Sequence, residues 1–158
     1  MGCREDRPAI RFEIAPSADQ ARLSRLALSS KAVWGYDSDF LQRCKSDLTV
    51  PLHSFEKQLV KMAFSEDQLI GFYSFSVLEA EPSLNFLFLL PSYKGKGFGR
   101  ILFEEAVKDA VNRGWISFLI CSDPHASPFY THLGAILIGS LESPVEKGRF
   151  LPVLRYLL

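Results

Sequence analysis

The residues from Pro91 to Arg100 combine glycine and positive charge in a pattern that suits the binding of an anion. The segment reads Pro-Ser-Tyr-Lys-Gly-Lys-Gly-Phe-Gly-Arg. Its alternating glycines let successive backbone N–H groups approach one ligand, because no side chain intervenes. Its cations supply the countercharge that phosphate oxygens attract. These glycines and cations are Lys94, Gly95, Lys96, Gly97, Gly99 and Arg100. The segment is therefore predicted to bind a pyrophosphate group.

Three better-known phosphate-binding loops do not fit this segment. The dinucleotide pattern G-x-G-x-x-G would need glycine where Arg100 or Leu102 stands. The nucleoside-triphosphate pattern needs Ser or Thr after Gly-Lys, but Gly97 follows Lys96 here. The glycine-rich loop of protein kinases lies between two strands, whereas a helical pattern follows this segment at once. None of these three loop classes is therefore indicated.

The neighbouring elements would hold this loop between a buried strand and a long helix. The run from Asn85 to Leu90 is apolar on both faces, as in a strand in the middle of a sheet, and Pro91 ends it. From Gly97 to Arg113, apolar pairs alternate with charged pairs, which predicts an amphipathic helix. The positive end of that helix dipole would point at the loop and strengthen the binding of an anion.

The rest of the chain predicts a single domain, residues 1–158, of the α/β class. Alternating apolar residues and turn residues predict strands over 10–14, 58–64, 68–77, 115–121, 136–139 and 150–157. Helices are predicted after Ser17 or Asp19, over 38–44, and from Asp123-Pro124, as cap and first-turn proline, to Gly134. The element order β, α, α, β, β, β, α, β, α, β, β predicts a central mixed, twisted sheet with helices on both faces.

Composition and charge exclude several classes of function. The chain carries 18 Lys and Arg against 18 Asp and Glu, so no net field would attract nucleic acid or an anionic membrane. No apolar run approaches the roughly 20 residues of a membrane helix. The cysteines and histidines show no disulfide or metal-ligand spacing, so no metal is expected. The N-terminal residues lack the apolar stretch of a secretion signal, and a cytoplasmic location is expected.

The loop and its surroundings resemble the GCN5-related N-acetyltransferase (GNAT) superfamily. In that family the loop reads Gln or Arg, two residues, Gly, one residue, then Gly or Ala, a spacing that residues 94–99 match. The family's Phe-Tyr and Gly-Ala pattern is similar to Phe129-Tyr130 followed by Gly134-Ala135. Three further segments resemble an uncharacterised bacterial subgroup: Ser-Lys-Ala-Val-Trp-Gly-Tyr at 30–36, Asp-Pro-His-Ala at 123–126 and Gly-Arg-Phe-Leu-Pro at 148–152.

The resemblance implies a GNAT-like acyl-CoA N-acyltransferase fold and the transfer of an acetyl group from acetyl-CoA to an amine by direct attack. The strand ending at Leu90 would splay from the strand at 116–122. Backbone groups near Phe88 and Leu89 would hold the pantetheine arm in that gap, and Tyr130 would donate a proton to the departing sulfur. The implied cofactor-binding residues are Phe88, Leu89, Lys94, Gly95, Lys96, Gly97, Phe98, Gly99, Arg100 and His125.

Three positions depart from the pattern of the family or its subgroup. Lys94 stands where Gln or Arg is usual, His125 where the subgroup often has Asn, and Asn85 where a strand carboxylate is common. The residue that takes the proton from the attacking ammonium is therefore left open. The candidates for that role are His53, Glu79 and a water held by Tyr36.

The acceptor side is predicted in less detail. A primary amine of a small molecule or a protein is expected, in a pocket lined by Trp34, Tyr36 and Asn85. The aromatic residues Trp34, Tyr36 and Tyr130 would in isolation also fit core packing. The alternative function is a non-catalytic module that senses CoA or acyl-CoA, which the missing strand carboxylate would permit. A homodimer formed through edge strands or exposed aromatic residues is a further expectation.

Overall fold

A computed structural model describes residues 9–77 and 81–158 of the chain. Within them, one sheet contains β1 (Ile10–Ile14), β2 (Val60–Ser65), β3 (Gln68–Ser76), β4 (Ser83–Leu89), β5 (Ser117–Cys121), β6 (Ile136–Glu142) and β7 (Phe150–Leu157). The helices are α1 (Gln20–Ala32), α2 (Ser38–Arg43), α3 (Leu52–Glu56), α4 (Phe98–Asn112) and α5 (Ser127–His132). Among these residues no helix combines the length and hydropathy that crossing a bilayer requires.

The strand order places one parallel pair in the middle of an otherwise antiparallel sheet. The order is β1-β2-β3-β4-β5-β7-β6, and only β4 and β5 run parallel. Their pairing consists of Ser83 opposite Leu119 and Leu84 opposite Ile120. Beyond Leu84 the two strands separate, while β4 stays paired with β3 as far as Leu89. The predicted mixed sheet and the predicted splay of its central strands are both confirmed.

Helices cover both faces of the sheet because each face carries its own hydrophobic core. On one face, Phe103 and Ala106 of α4 belong to a cluster with Phe118 of β5. On the other face, Leu23 of α1 belongs to a second cluster with Phe72 of β3. Burying one large apolar side chain stabilises a fold by about 1.5–3 kcal/mol, so these clusters hold the helices against the sheet. The predicted fold class is confirmed.

Several element boundaries differ from the sequence-based expectation. The helix α3 is not predicted, because five residues are too few to display a helical period. The strand β2 begins at Val60 rather than at residue 58, since Gln58 adopts a φ of 57°, which an extended strand excludes. The strand β6 continues to Glu142, past the expected end at Gly139.

The prediction that Asp123 caps the helix after β5 is wrong. That helix, α5, begins at Ser127, and its N-cap is Ala126, whose side chain makes no capping hydrogen bond. Asp123 instead accepts a hydrogen bond from the backbone N–H of His125 at 2.9 Å, which closes a tight turn. The second carboxylate oxygen is thereby free to meet side chains from other parts of the chain.

Candidate active site

A cleft of about 930 Å³ opens where β4 and β5 separate. One wall is the free edge of β4 from Asn85 to Leu89, and the facing wall includes Cys121 and Asp123. The loop before α4, the segment after α1, and the β6–β7 hairpin also line the cleft. The sheet itself therefore creates the cleft, because β5 ends soon after its short pairing with β4.

The backbone of β4 points alternately to β3 and to the cleft. The N–H of Leu90 donates to the carbonyl of Ile70 at 2.7 Å, which sets the phase of the β3–β4 ladder. In an antiparallel ladder, every second residue is hydrogen-bonded to the partner strand. Phe88 therefore turns its N–H and C=O to β3, and Leu87 and Leu89 turn theirs to the cleft. The backbone groups of Leu89 face the cleft, as the expected contact with pantetheine requires. Those of Phe88 face β3, so Leu87 rather than Phe88 offers backbone groups to the cleft.

Asn85 forms a β-bulge at the point where β4 and β5 part. The register moves from the Ser74–Phe86 pair to the Phe75–Leu84 pair, which leaves Asn85 without a partner on β3. A bulge bends the strand and releases a residue from the ladder. Asn85 consequently lines the cleft, as predicted. Its amide cannot take a proton at neutral pH, so it does not replace the strand carboxylate.

The start of α4 presents free backbone N–H groups to the cleft. From Gly95 to Arg100, no backbone N–H donates to a backbone or side-chain acceptor in the part of the chain that the structure describes. Gly95 and Gly97 have φ angles of 75° and 85°, and only glycine adopts this region without strain. Gly97 is the N-cap of α4, whose dipole adds positive potential at the same end. This geometry is that of an anion-binding loop.

Lys94 belongs to this loop, but its ammonium turns toward α1. The Nζ atom donates to the carbonyl of Ser30 at 2.8 Å and lies 4.9 Å from the centre of the Trp34 ring. Burial lowers the pKa of Lys94, and the charge of Asp123 opposes that shift. The ammonium of Lys94 is therefore bonded to α1 in this conformation, and Nε of Arg100 donates to Glu104 at 3.0 Å.

Tyr130 of α5 lies in the core and reaches the wall of the cleft. Its side chain is buried, in contact with the ring of Phe103 at a centroid distance of 5.9 Å. Burial raises the pKa of Tyr130, so the phenol keeps its proton at neutral pH. A group in this state can donate a proton to a thiolate in the cleft.

Trp34 and His125 form a stacked pair at the wall of the cleft. Their ring centroids lie 5.1 Å apart with an interplanar angle of 9°. The ring of Tyr36 meets the edge of His125 at 5.6 Å. Trp34 and His125 line the cleft, while Tyr36 lies behind them. Of the two aromatic residues predicted to line the acceptor pocket, Trp34 lines the cleft and Tyr36 does not.

Two of the three candidates for the proton acceptor, His53 and Tyr36, lie in the described part of the chain. Nε2 of His53 lies 3.0 Å from Ser76 Oγ, and this ring is not among the residues that line the cleft. Glu79 lies outside the described residues. The hydroxyl of Tyr36 donates to Asp123 and accepts from Arg149, so both of its hydrogen-bonding functions are in use. Burial and the hydrogen bond to Asp123 raise the pKa of Tyr36 to about 12.

Sequence reasoning missed several charged residues near the cleft. Lys31 and Arg149 both form ion pairs with Asp123. All three lie in the segments that resemble the bacterial subgroup, which is the signal that could have found them. Asp47 and Glu142 also line the cleft. No spacing in the sequence connects these residues, because they meet only in the folded chain. Among the residues described, no group of His, Cys, Asp and Glu is placed to hold a metal ion.

Comparisons with known proteins agree with this geometry. Residues 27–147 match the family model of the acetyltransferase (GNAT) domain. A PaiA N-acetyltransferase from Thermoplasma acidophilum, solved in complex with coenzyme A, has a TM-score of 0.75 at 18% identity over 95% of this chain and 99% of that one. YncA from Salmonella typhimurium, a putative acetyltransferase solved with acetyl-CoA, has a TM-score of 0.65 at 16% identity over 94% of both chains.

A third solved structure is similar over its whole length. The ribosomal-protein-alanine N-acetyltransferase from Brucella melitensis has a TM-score of 0.66 at 20% identity over 94% of this chain and 99% of that one. A comparison with curated proteins gave no match. The structural likeness establishes the fold, and the family model covers most of the chain. This protein therefore belongs to the acetyltransferase (GNAT) domain family and is an acyltransferase of that type.

Proposed function

We propose that this protein transfers an acetyl group from acetyl-CoA to a primary amine of a small molecule or a protein. The observation that carries the proposal is the run of free backbone N–H groups from Gly95 to Arg100 at the end of the cleft between β4 and β5. Such a run suits a pyrophosphate, and the cleft beside it has room for an extended arm. Coenzyme A and acetyl-CoA, the ligands in two of the similar structures, combine these two parts.

Different parts of the site would hold different parts of acetyl-CoA. The N–H groups from Gly95 to Arg100, with the charges of Lys96 and Arg100, would bind the pyrophosphate. The outward-facing backbone groups of Leu87 and Leu89 would pair with the amides of the pantetheine arm, as an additional strand would. Three of the remaining predicted cofactor-binding residues, Phe88, Lys94 and Phe98, lie within or beside these two regions, whereas His125 stacks on Trp34.

The chemistry requires a proton donor and a proton acceptor. Acetyl-CoA supplies an acetyl group activated as a thioester. The amine nitrogen forms a bond to the acetyl carbon, the carbon–sulfur bond breaks, and Tyr130 gives its proton to the departing sulfur. Asp47 is our candidate for the proton acceptor, since it lines the cleft while Asp123 and Glu142 already accept hydrogen bonds there.

The first experiment is a thermal-shift titration with acetyl-CoA, with NADH and ATP as controls. A ligand at 100 times its Kd stabilises the folded state by about 2.7 kcal/mol. We expect acetyl-CoA, but neither NADH nor ATP, to raise the melting temperature. The Tyr130→Phe variant should keep that shift but lose acetyl transfer in a screen of primary amines. Binding without transfer by the wild-type protein in that screen would favour the alternative, a CoA-sensing module.

A matched pair of glycines tests the site of binding. Gly97 comes directly before α4 and Gly114 follows its C-cap, with φ angles of 85° and 80°. Alanine would therefore strain the backbone at both positions by about 1–2 kcal/mol. Only Gly97 borders the cleft. We expect Gly97→Ala to weaken acetyl-CoA binding and Gly114→Ala to leave the Kd unchanged, by isothermal titration calorimetry. Equal Kd values for the two variants would show that the pyrophosphate does not bind at this loop.

The edge strand β6 supports the expectation of a homodimer. All of its residues are exposed, and Ile136, Leu137, Ile138 and Leu141 are between 47% and 59% exposed. The opposite edge, β1, carries charged residues, which discourage pairing with another strand. Sedimentation velocity should show a dimer for the wild-type protein and a monomer for Ile138→Lys. A monomeric wild-type protein at micromolar concentration would contradict this part of the proposal.

We also propose that the protein is located in the cytoplasm. The free thiols of Cys44 and Cys121 suit a reducing compartment, in which unpaired cysteines persist. Fractionation of cells that produce the protein, with detection by an antibody, would test it.

A further inference from the structure

The carboxylate of Asp123 joins three segments that are distant in the sequence. Its Oδ2 atom accepts from the hydroxyl of Tyr36 at 2.8 Å and from Nη2 of Arg149 at 3.2 Å, and it lies 3.3 Å from Nζ of Lys31. Its Oδ1 atom accepts from the backbone N–H of His125 at 2.9 Å. Arg149 also donates to the hydroxyl of Tyr36 at 2.7 Å. We call these side chains, without His125, the Asp123 cluster.

The Asp123 cluster is shielded from solvent and places one carboxylate between two cations. The side chains of Lys31, Asp123 and Arg149 are only 11%, 14% and 16% exposed. Burial by itself would raise the pKa of Asp123, but the hydrogen bonds from His125 and Tyr36 and the charge of Lys31 lower it overall. The carboxylate is therefore ionised at neutral pH, and its hydrogen bonds are of the stronger, charge-assisted kind.

These side chains are the connection between the two segments that bear the stacked rings. Trp34 follows α1 and His125 follows β5, and no backbone hydrogen bond joins residues 30–37 to residues 122–126 among those described. Asp123 instead binds Lys31 and Tyr36, which flank Trp34, and also holds the N–H of His125. One carboxylate thus contacts both segments that bear the rings, which lie 5.1 Å apart at the wall of the cleft.

We propose that Asp123 is a positioning residue that holds Trp34 and His125 together as a flat wall of the acceptor subsite. This inference rests on the proposed function, because it assigns a part of the same cleft to the amine. Asp123 meets the acceptor side through Lys31 and Tyr36, and none of the hydrogen bonds or ion pairs described for its carboxylate involves residues 95–100. Its loss should therefore affect the acceptor far more than acetyl-CoA.

A spectroscopic experiment tests the positioning role without a known acceptor. The chain has two tryptophans, so Trp115→Phe leaves Trp34 as the only indole. In that background, Asp123→Asn should increase the quenching of Trp34 fluorescence by acrylamide at least twofold, because the wall loosens. Tyr36→Phe, a milder change that removes one hydroxyl, should increase it to a smaller extent. The Kd for acetyl-CoA should change by less than threefold in both Asp123→Asn and Tyr36→Phe.

A control variant separates positioning from general stability. Glu81 binds Arg155 through two hydrogen bonds of 3.0 and 3.1 Å, and neither residue lines the cleft. Glu81→Gln therefore weakens a more exposed ion pair, 38% and 35% exposed, at another site. It should lower the melting temperature without changing the quenching of Trp34.

A kinetic experiment then tests the role in catalysis. With the primary amine that the wild-type protein acetylates most efficiently in the screen, Asp123→Asn should raise KM for the amine roughly tenfold, or about 1.4 kcal/mol, because the wall of Trp34 and His125 is no longer held in place. Unchanged quenching and unchanged KM in both Asp123→Asn and Tyr36→Phe would overturn the inference. If no amine is acetylated, the proposed function fails, while the fluorescence result still decides the positioning role.

Discussion

The position of Lys94 in the glycine-rich loop suggests that it binds phosphate, but its side chain is bonded elsewhere. It occupies the first position of the glycine-rich loop, yet its ammonium bonds the carbonyl of Ser30 near the end of α1. A cation in this place satisfies a carbonyl near the negative end of the helix dipole and also meets the face of Trp34. The side chain therefore connects the loop to α1.

A pair of lysine substitutions tests this reading of Lys94. Lys94→Met should change the Kd for acetyl-CoA little, whereas Lys96→Met should weaken binding by removing an exposed charge close to the free N–H groups. Because salt screens such exposed charges, the difference between Lys96→Met and wild type should shrink at high ionic strength. Isothermal titration calorimetry at two salt concentrations measures both effects. A larger loss of affinity for Lys94→Met at low salt would place its ammonium on the phosphates.

At the scale of elements, the contact between β3 and β4 decides the shape of the cleft. Gly71 of β3 lies so close to β4 that an added Cβ would be 2.6 Å from the carbonyl oxygen of Phe88 and 2.8 Å from Leu89 Cδ2. The first neighbour is backbone, so β4 itself would have to move. Because Leu87 and Leu89 present the groups that we assign to pantetheine, such a movement would reach the ligand.

The substitution Gly71→Ala should therefore reduce both stability and affinity. We expect a loss of about 1–3 kcal/mol in the free energy of unfolding, as for other overpacked sites, and a weaker Kd for acetyl-CoA. Gly139→Ala in β6 is the control, because nothing lies within 4 Å of its added Cβ. Urea unfolding and calorimetry measure the two quantities. A Gly71→Ala variant as stable as Gly139→Ala would show that the strands are not in close contact here.

At the scale of the whole molecule, shielded tyrosines make the fold sensitive to alkaline pH. Burial raises the pKa of Tyr73 and of Tyr130, and for Tyr73 the charge of Asp109 and the hydrogen bond to it act in the same direction. The pKa of Tyr36 is raised to about 12. In the unfolded chain a tyrosine ionises near pH 10. Unfolding is therefore favoured increasingly above about pH 10, and the stabilising contribution of these phenols is fully present only below it.

The substitution Tyr73→Phe should flatten this dependence on pH. At neutral pH the variant loses the hydrogen bond to Asp109, at a cost of about 0.5–1.5 kcal/mol. Between pH 9 and 11 its urea midpoint should fall less steeply than that of the wild-type protein, because one fewer phenol has to ionise on unfolding. Parallel curves for the two proteins would mean that Tyr73 keeps an ordinary pKa in the folded state.

The sequence alone determined the features that depend on neighbours along the chain. The anion-binding loop, the amphipathic helix α4 and the buried strand β4 are each specified by a few consecutive residues, because glycine conformation, helical periodicity and strand alternation are local properties. Asp123 illustrates the limit of such reasoning. Its place before a proline favours a helix cap, but the side chains that bind its carboxylate are those of Lys31, Tyr36 and Arg149.

Only the tertiary structure decided the arrangement of the cleft. The turn of Lys94 toward Ser30 and the stacking of Trp34 on His125 depend on residues that are dozens of positions apart. Such contacts form when the hydrophobic faces of the sheet and helices pack, and no local pattern encodes which polar side chains then meet. The sequence therefore determined the family and the glycine-rich loop, whereas the packed fold decided which charged side chains line the cleft.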